Sequence, residues 1–306
     1  MASDLVSVGE RCPHLSTINL QNCEVASRAV CCFLQVRGAS LRCLYLSLDS
    51  QISSLLSQLV SGSCPELRLL EVTKPIKNQI MAVQLPAEGL QTSCPKLEVL
   101  RLLNLTFSLK SKPPSCPEGP GFSQLQELCL ATSICSHVTD DVCKRLLRDC
   151  TQLRVLDLRG CYLLTPQGIS EIPCPDVERL YLGIYCSTNR SHSYTGCSFI
   201  TRRWGHSLME LDLTAQHFSE SDLSQALGVL SRSGGNDMLQ SLSLTGTKVT
   251  VAAVREVLAG CRALTHLDIT SCRNIPRGLK CVYRGQDNIR QCLKTFSTKI
   301  VEQSGQ

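Results

Sequence analysis

Residues 150–169 read CTQLRVLDLRGCYLLTPQGI, and this stretch decides how the rest of the chain is interpreted. Leu156 and Leu158 are two residues apart, so their side chains lie on one face of a short strand. Leu153 reaches the same apolar layer from the turn that precedes the strand. Cys161 stands where the chain bends away, and its small side chain can fill the bend and bond weakly to turn backbone. One copy of this pattern is weak evidence, so its recurrence decides the fold.

The spacing recurs along the whole chain. The first apolar position of each copy is Leu15, Leu41, Leu67, Leu97, Leu125, Leu153, Val177, Leu208, Leu239 and Leu264, at intervals of 24 to 31 residues. Apolar residues follow three and five positions later in every copy. Unrelated amphipathic strands would not keep this period, which is typical of leucine-rich repeats. The sequence therefore predicts an α/β leucine-rich-repeat solenoid of about ten repeats, a horseshoe with a parallel concave sheet and helices on the convex side.

The composition fits thin apolar layers and reduced cysteines. Of the 306 residues, 43% are hydrophobic and only 4% are aromatic, which suits stacked layers of leucine and isoleucine. The net charge of +5 is spread along the chain and marks no nucleic-acid-binding face. The twenty cysteines include no C-x-x-C pair and recur with the repeat, so we expect them to be reduced and mostly buried. Reduced thiols favour the cytoplasm or the nucleus.

No targeting or membrane segment is recognisable in the sequence. The first 30 residues contain no apolar signal-peptide core, and no apolar stretch reaches the roughly 18 residues that a membrane span needs. We therefore expect no contact with a membrane.

Helices are predicted between the strands. Thr139 is a candidate N-cap for a helix over residues 140–149, and Thr250 for one over residues 251–259. Ser219 or Ser221 is a candidate N-cap for a third helix that runs through Leu230. Strand, turn and capped helix then alternate as a solenoid requires.

Two connections depart from this alternation. Residues 106–121 are rich in proline and glycine, and residues 185–205 are polar, so both are predicted as long loops. Each is either a tolerated surface insertion or part of a binding face. The expected domains are a repeat solenoid over residues 1–275 and a C-terminal closing segment with a tail over residues 276–306.

The sequence contains no catalytic constellation that we can recognise. It has no nucleophile elbow, no phosphate-cradling glycine loop and no H-E-x-x-H motif. The six histidines are scattered without metal-ligand spacing, so a Cys/His zinc site is only a formal alternative. We expect no catalytic residues, no cofactor and no metal, and hence a protein that is not an enzyme.

The remaining candidate for function is the face of the strands that looks away from the core. Residues that flank the inward leucines stack from repeat to repeat into columns on this concave face. Apolar residues there cost solubility unless a partner covers them, and tyrosine and arginine beside mixed charges are typical of protein interfaces. The predicted partner-binding residues are Leu69, Val99, Arg101, Leu103, Val155, Asp157, Arg159, Arg179, Tyr181, Glu210 and Asp212. The alternative is that these side chains fit the curvature and bind nothing.

The cysteines also indicate a repeat subtype. Cys12 precedes the first repeat's Leu15 and Cys23 follows its strand, and residues 150–161 and 261–272 keep the same frame. These motifs resemble the cysteine-containing repeats of the F-box and leucine-rich-repeat proteins, which are substrate receptors of cullin-RING ubiquitin ligases. The resemblance covers nearly the whole chain.

The resemblance implies a non-catalytic, substrate-recognition part of an SCF-type ubiquitin ligase, whose concave face binds target proteins for ubiquitination and degradation. The family reaches the adaptor Skp1 and the cullin through an F-box. No segment of the sequence resembles an F-box, so Skp1 is an expected partner only through a segment outside these residues. We expect a monomer that binds a target protein and no nucleic acid. A stand-alone scaffold or an inhibitor of the ribonuclease-inhibitor type is the alternative.

Overall fold

The computed structural model describes residues 2–23, 25–47, 52–74, 83–109, 119–133, 136–184, 195–232 and 238–304, leaving aside the side chains of residues 2, 3, 52 and 297–304. It contains two compact units. The first comprises residues 1–155, 161–164 and 172–174, and the second comprises residues 156–160, 165–171 and 175–306. No helix in the described ranges combines the length and the apolarity that crossing a bilayer requires.

The first unit repeats a strand, a turn and a helix. Its strands are β1 (Thr17–Leu20), β2 (Cys43–Ser47), β3 (Leu69–Thr73), β4 (Val83–Leu85), β5 (Val99–Leu103), β6 (Phe107–Leu109) and β7 (Glu127–Cys129). Its helices are α1 (Ala2–Arg11), α2 (Ser27–Arg37), α3 (Ile52–Gln58), α4 (Ala87–Ser93) and α5 (Asp140–Leu146), with short 3-10 and π turns at Gly38–Ser40 and Leu59–Ser63. Parallel pairing follows the order β1-β2-β3-β5-β7, and β4 pairs with β6 in a separate parallel sheet.

The second unit is built in the same way. Its strands are β8 (Val155–Asp157, of which Val155 belongs to the first unit), β9 (Arg179–Tyr181), β10 (Glu210–Asp212), β11 (Ser241–Ser243), β12 (His266–Asp268) and β13 (Val282–Arg284). Its helices are α6 (Pro166–Ser170), α7 (Cys197–Trp204), α8 (Glu220–Arg232), α9 (Val251–Gly260) and α10 (Gln286–Ser304). The strands follow one another in chain order, parallel from β9 to β12, and β13 pairs antiparallel with β12.

The apolar positions of the repeat form the core of each unit. Leu44, Leu70 and Leu100 are fully buried, and the residues on either side of each in β2, β3 and β5 are half-exposed. This alternation follows from the two-residue period of a strand. In β1 the equivalent Ile18 and Leu20 remain half-exposed. All ten predicted strands are present, which confirms the leucine-rich-repeat solenoid fold.

The turn after the strand requires a left-handed residue in repeat after repeat. The backbone angle φ is positive seven residues after the first leucine position, at Asn22 (58°), Asn104 (54°), Gly160 (80°), Ala215 (55°), Gly246 (71°) and Ser271 (58°). Glycine and asparagine adopt this region most readily. The recurrence shows that the same turn conformation follows the strand in several repeats of both units.

The periodic cysteines are mostly buried, as predicted. Cys64, Cys94, Cys150, Cys174 and Cys261 are at most 1% exposed, whereas Cys12 and Cys23 are exposed. Two buried thiols lie close to carbonyl oxygens of the preceding repeat: Cys150 Sγ is 3.1 Å from the oxygen of Phe122, and Cys272 Sγ is 3.0 Å from that of Leu244. The cysteines that the structure describes are free thiols.

The helix caps follow the prediction at two of three positions. The Thr250 hydroxyl accepts a hydrogen bond from the Ala253 N–H (3.2 Å), and the Ser219 hydroxyl accepts one from the Asp222 N–H (3.2 Å). Thr139 has the extended backbone of an N-cap but makes no capping bond through its side chain, so that part of the prediction is wrong.

Both predicted loops contain regular structure, which corrects the expectation of loops throughout. Residues 197–204 form α7, because Cys197, Ile200, Thr201 and Trp204 make one buried helical face within a polar sequence. Residues 107–109 form β6, whose Phe107 is buried beside β4. Residues 110–118 and 185–194 lie outside the described residues.

The C-terminal segment packs against the last repeat of the second unit. Ile289, Cys292 and Phe296 are buried on α10, as the predicted helical face requires, and Leu293 is half-buried. Tyr283 of β13 is buried as well.

Candidate functional site

The predicted binding residues of the first unit lie on the solvent side of its strands. Leu69, Val99, Leu103 and Val155 are half-exposed, although their side chains are apolar. The parallel register places Leu69 beside Val99 and Thr73 beside Leu103. The strands therefore present several apolar groups to solvent, of which Leu69 and Val99 are direct cross-strand neighbours.

An ionic network lies among these apolar residues. Arg101 donates from Nε and Nη2 to Glu127 (2.6 and 3.1 Å) and from Nη1 to Glu71 (2.9 Å). These bonds to Glu127 and Glu71 raise the pKa of Arg101. Gln21 Nε2 also donates to Glu71 (2.5 Å). We define the first patch as Leu69, Glu71, Val99, Arg101, Leu103 and Glu127.

In the second unit the predicted residues meet around Tyr181. The tyrosine hydroxyl donates to Glu210 Oε2 (2.6 Å), and Arg179 Nε lies 3.3 Å from Glu210 Oε1. The guanidinium of Arg159 lies over the Tyr181 ring, 5.5 Å from its centroid, and binds both oxygens of Asp157 (2.8 and 2.6 Å). Burial and the bond to Glu210 raise the pKa of Tyr181. We define the second patch as Asp157, Arg159, Arg179, Tyr181, Glu210 and Asp212.

Two predicted residues of the second patch lie beneath its surface. Asp157 is 5% exposed and Asp212 is 9% exposed. Each accepts a hydrogen bond from the backbone N–H two residues later, at Arg159 (3.2 Å) and Thr214 (2.9 Å). This bond stabilises the bend at the end of the strand, so these aspartates support the patch rather than forming its outer surface.

Sequence reasoning left Glu71 and Glu127 out of the site. The pairing of Glu71 with Arg101 could have been predicted, because the two residues occupy the same column in neighbouring repeats and carry opposite charges. Opposite charges on adjacent strands pair across the sheet.

A cavity of about 540 Å³ lies beside α4 and α5 in the first unit. Arg145 donates to Glu88 Oε1 from Nε (3.0 Å) and Nη2 (2.7 Å), and Gln91 Nε2 donates to the carbonyl of Arg145 (3.0 Å). These bonds link the two helices, which accounts for polar groups in the cavity wall. Within the described ranges, no group of three or more His, Cys, Asp or Glu residues has the arrangement of a metal site.

Known proteins resemble this chain in sequence and in fold. No family model matches it. F-box/LRR-repeat protein 4 of Bos taurus is 30% identical over 193 residues, which cover 60% of this chain and 28% of that protein. The match thus spans less than a third of the length of this relative.

Two solved structures are similar to the chain at low sequence identity. The yeast complex of Rad7 and Elc1 contains a chain that matches with a TM-score of 0.52 and 18% identity, over 96% of this chain and 70% of that one. A protein from Bacteroides fragilis matches with a TM-score of 0.47 and 13% identity, over 81% and 69% of the two chains. The chain is thus a leucine-rich-repeat solenoid that is distantly homologous to an F-box/LRR-repeat protein.

Proposed function

We propose that this chain is a non-catalytic protein-binding module and the substrate-recognition part of an SCF-type ubiquitin ligase. Target proteins bind the concave strand face and are thereby selected for ubiquitination and degradation. The observation that carries the proposal is the set of ordered, half-exposed side chains on that face, centred on Arg101 in the first patch and Tyr181 in the second.

The side-chain types support protein binding. Tyrosine and arginine contribute most of the energy at the centres of protein interfaces, and half-exposed leucine and valine gain free energy when a partner removes them from water. The hydrogen bonds of Tyr181, Arg159 and Arg101 hold these groups in place before a partner arrives, which reduces the entropy lost on binding.

The place in a ubiquitin ligase is supported by the relative's name. The name of the relative combines the repeat with an F-box. In the family that the sequence resembles, the F-box is the segment that reaches Skp1 and the cullin. Within the family, residues 267–293 resemble F-box/LRR-repeat protein 6, and this finer assignment is part of the proposal. We also propose that the protein is located in the cytoplasm or the nucleus.

Site-directed photo-crosslinking tests the binding surface. A photoreactive phenylalanine is placed at Val99 or at Tyr181, and as a control at Phe199, an exposed aromatic residue of α7. We expect the same partner protein to crosslink from the two strand positions and not from the helix position. Crosslinks from Phe199 alone, or from none of the three positions, would remove the strand face from the proposal.

The fate of the crosslinked partner tests the ligase role. We expect its cellular lifetime to lengthen when this protein is depleted and also when cullin activation is inhibited. An unchanged lifetime under both treatments would instead support the stand-alone scaffold or inhibitor.

A further inference from the structure

We propose that the C-terminal end of the second unit binds an acidic segment of a partner protein. The inference goes beyond the proposed function, because it uses none of the residues of the two patches and does not depend on them. It follows from where the positive charge of the chain is concentrated. We define the basic end as Arg262, Arg273, Arg277, Lys280 and Arg284.

The net positive charge of the chain lies in residues 262–294. This range contains seven arginine or lysine residues and two aspartates, so its net charge of +5 equals that of all 306 residues. The rest of the chain contains 24 basic and 24 acidic residues, which is 31 less seven and 26 less two. The expectation that the charge is spread along the chain is therefore wrong, and such an asymmetry points to a charged partner.

The pairing of β13 with β12 brings two of the cations together. Arg284 lies opposite His266 in the strand register. The side chain of Gln286, two residues after Arg284, donates a hydrogen bond to the backbone carbonyl of Arg262 (3.0 Å). Arg262 and Arg284 therefore lie at the same end of this pair of strands.

The connection from β12 to β13 carries the other three cations. It reads RNIPRGLK from Arg273 to Lys280 and contains no carboxylate. The Ile269 N–H, just after β12, donates to the carbonyl of Cys281 (2.9 Å), which holds the end of the connection beside the strand. Lys280 is four residues from Arg284, so their backbones are at most about 13 Å apart. One short extended segment of a partner can therefore reach both groups of cations.

The cations of the basic end are exposed and form no ion pairs with the residues that the structure describes. Lys280 Nζ lies 5.6 Å from the centroid of the Tyr283 ring, a contact that leaves its charge unneutralised. Basic residues of the first unit differ, because Arg68 and Lys96 each reach a glutamate within 2.6 Å. The basic end thus keeps its positive charge available to a partner.

Two carboxylates lie near the connection and do not balance it. Asp268 on β12 accepts a hydrogen bond from the Thr270 N–H (2.9 Å). Glu220, at the start of α8, accepts one from the side chain of Asn274 (3.2 Å). Counting both against the five cations still leaves an excess of positive charge, which attracts an acidic partner from a distance.

A protein segment fits this end better than a nucleic acid. Guanidinium groups bind carboxylates through paired N–H donors, and four of the five cations are arginines. Proteins that bind single-stranded nucleic acids also present aromatic rings on which the bases stack. Tyr283 and Phe296, the aromatic residues of this end, are buried instead.

Fluorescence anisotropy with the full chain and three labelled probes tests the inference. The probes are a short peptide of alternating glutamate and glycine, the same peptide with glutamine for glutamate, and a single-stranded oligonucleotide of equal negative charge. We expect the glutamate peptide to bind most tightly and its affinity to fall as NaCl is raised, because salt screens exposed charges. Equal binding of the glutamine peptide, tighter binding of the oligonucleotide, or no binding of any probe would overturn the inference.

Paired substitutions test the position of the site. Arg277→Gln with Lys280→Gln removes two charges from the basic end and should weaken the glutamate peptide by about five- to tenfold. Arg28→Gln with Arg42→Gln is the matched control, because these exposed arginines of the first unit likewise form no ion pair with a described residue. We expect the control to leave the affinity unchanged and both double variants to melt at the wild-type temperature. Equal weakening by the two pairs would mean that the peptide follows net charge alone, and the basic end would not be its site.

Discussion

At the scale of the residue, one backbone conformation recurs for a physical reason. In six of the described repeats, the turn after the strand contains a residue with positive φ at the same position. Asparagine, glycine and serine stand at most of these turns, but Ala215 adopts φ 55° with a Cβ that is unfavourable there. Ala215 therefore stores strain that a glycine would relieve.

We predict that Ala215→Gly raises the free energy of unfolding by about 0.5–1 kcal/mol. Ala226→Gly is the control, since Ala226 is buried inside α8, and the same change there should lower stability by at least about 1 kcal/mol. Urea unfolding of both variants measures the two effects. A loss of stability in Ala215→Gly would contradict the strained turn.

The sequence alone could predict which residues are buried better than it could predict this turn. The apolar residues three and five positions after the first leucine position identify most of the core, because burial follows the strand period. Asn22, Asn104, Gly160 and Gly246 share the turn position, so aligning the repeats could have predicted a positive φ there. The same conformation could not be predicted at Ala215 and Ser271, because neither residue type favours positive φ by itself.

At the scale of the element, side-chain caps separate helices that look alike in sequence. Thr139 and Thr250 both precede a helix and both have extended backbones. Only Thr250 satisfies a free backbone N–H at the start of its helix, by accepting from Ala253. The two threonines therefore allow a comparison of an N-cap with a side-chain hydrogen bond and one without it.

Thr250→Ala should therefore cost about 1 kcal/mol of stability, while Thr139→Ala should cost no more than a few tenths of that amount. Thermal and urea unfolding of the two single variants provide the measurement. Equal losses would mean that the Thr250 hydroxyl does not cap α9.

Elements inside the long connections were the least predictable from sequence. Arg202 and Arg203 give α7 a polar appearance, yet Trp204 and Ile200 of the same helix are fully buried. Proline and glycine dominate residues 106–121, which conceals the three residues of β6. Local composition could not reveal these elements, because packing against neighbouring elements of the fold stabilises them.

At the scale of the whole molecule, buried thiols make the free energy of unfolding fall as the pH rises into the alkaline range. Burial raises the pKa of Cys64 and Cys150 to about 12 and that of Cys94 to about 11, from an ordinary value of 9.0. Above that ordinary value the unfolded chain loses thiol protons that the folded chain keeps. Stability that is fully present below about pH 9 is therefore lost as the pH rises toward 12.

We predict that the free energy of unfolding, measured in urea under reducing conditions, falls between pH 8 and pH 10. Each such thiol contributes at most about 1.4 kcal/mol per pH unit to the slope. Cys64→Ala should reduce the slope, whereas Leu67→Ala in the same repeat should lower stability without changing it. An unaltered slope in Cys64→Ala would contradict a buried, protonated thiol.

The candidate binding surface was partly predictable from sequence. Column positions correctly identified half-exposed residues such as Val99 and Tyr181, because the strand period fixes which side chains face solvent. The column positions could not show that Asp157 and Asp212 are buried and bound to backbone N–H groups of their own turns. Nor did it identify Glu71 as a partner of Arg101, which depends on cross-strand contact.

The central claim is that the strand face binds a protein, and its most direct test is the affinity of the crosslinked partner for a doubly substituted chain. Val99→Glu with Val155→Glu places charge on two half-exposed positions of the first unit, and Val36→Glu on the exposed side of α2 is the control. By isothermal titration calorimetry we predict that the double variant binds at least about tenfold more weakly, with an unchanged melting temperature and no effect in the control. Wild-type affinity in the double variant would contradict the claim.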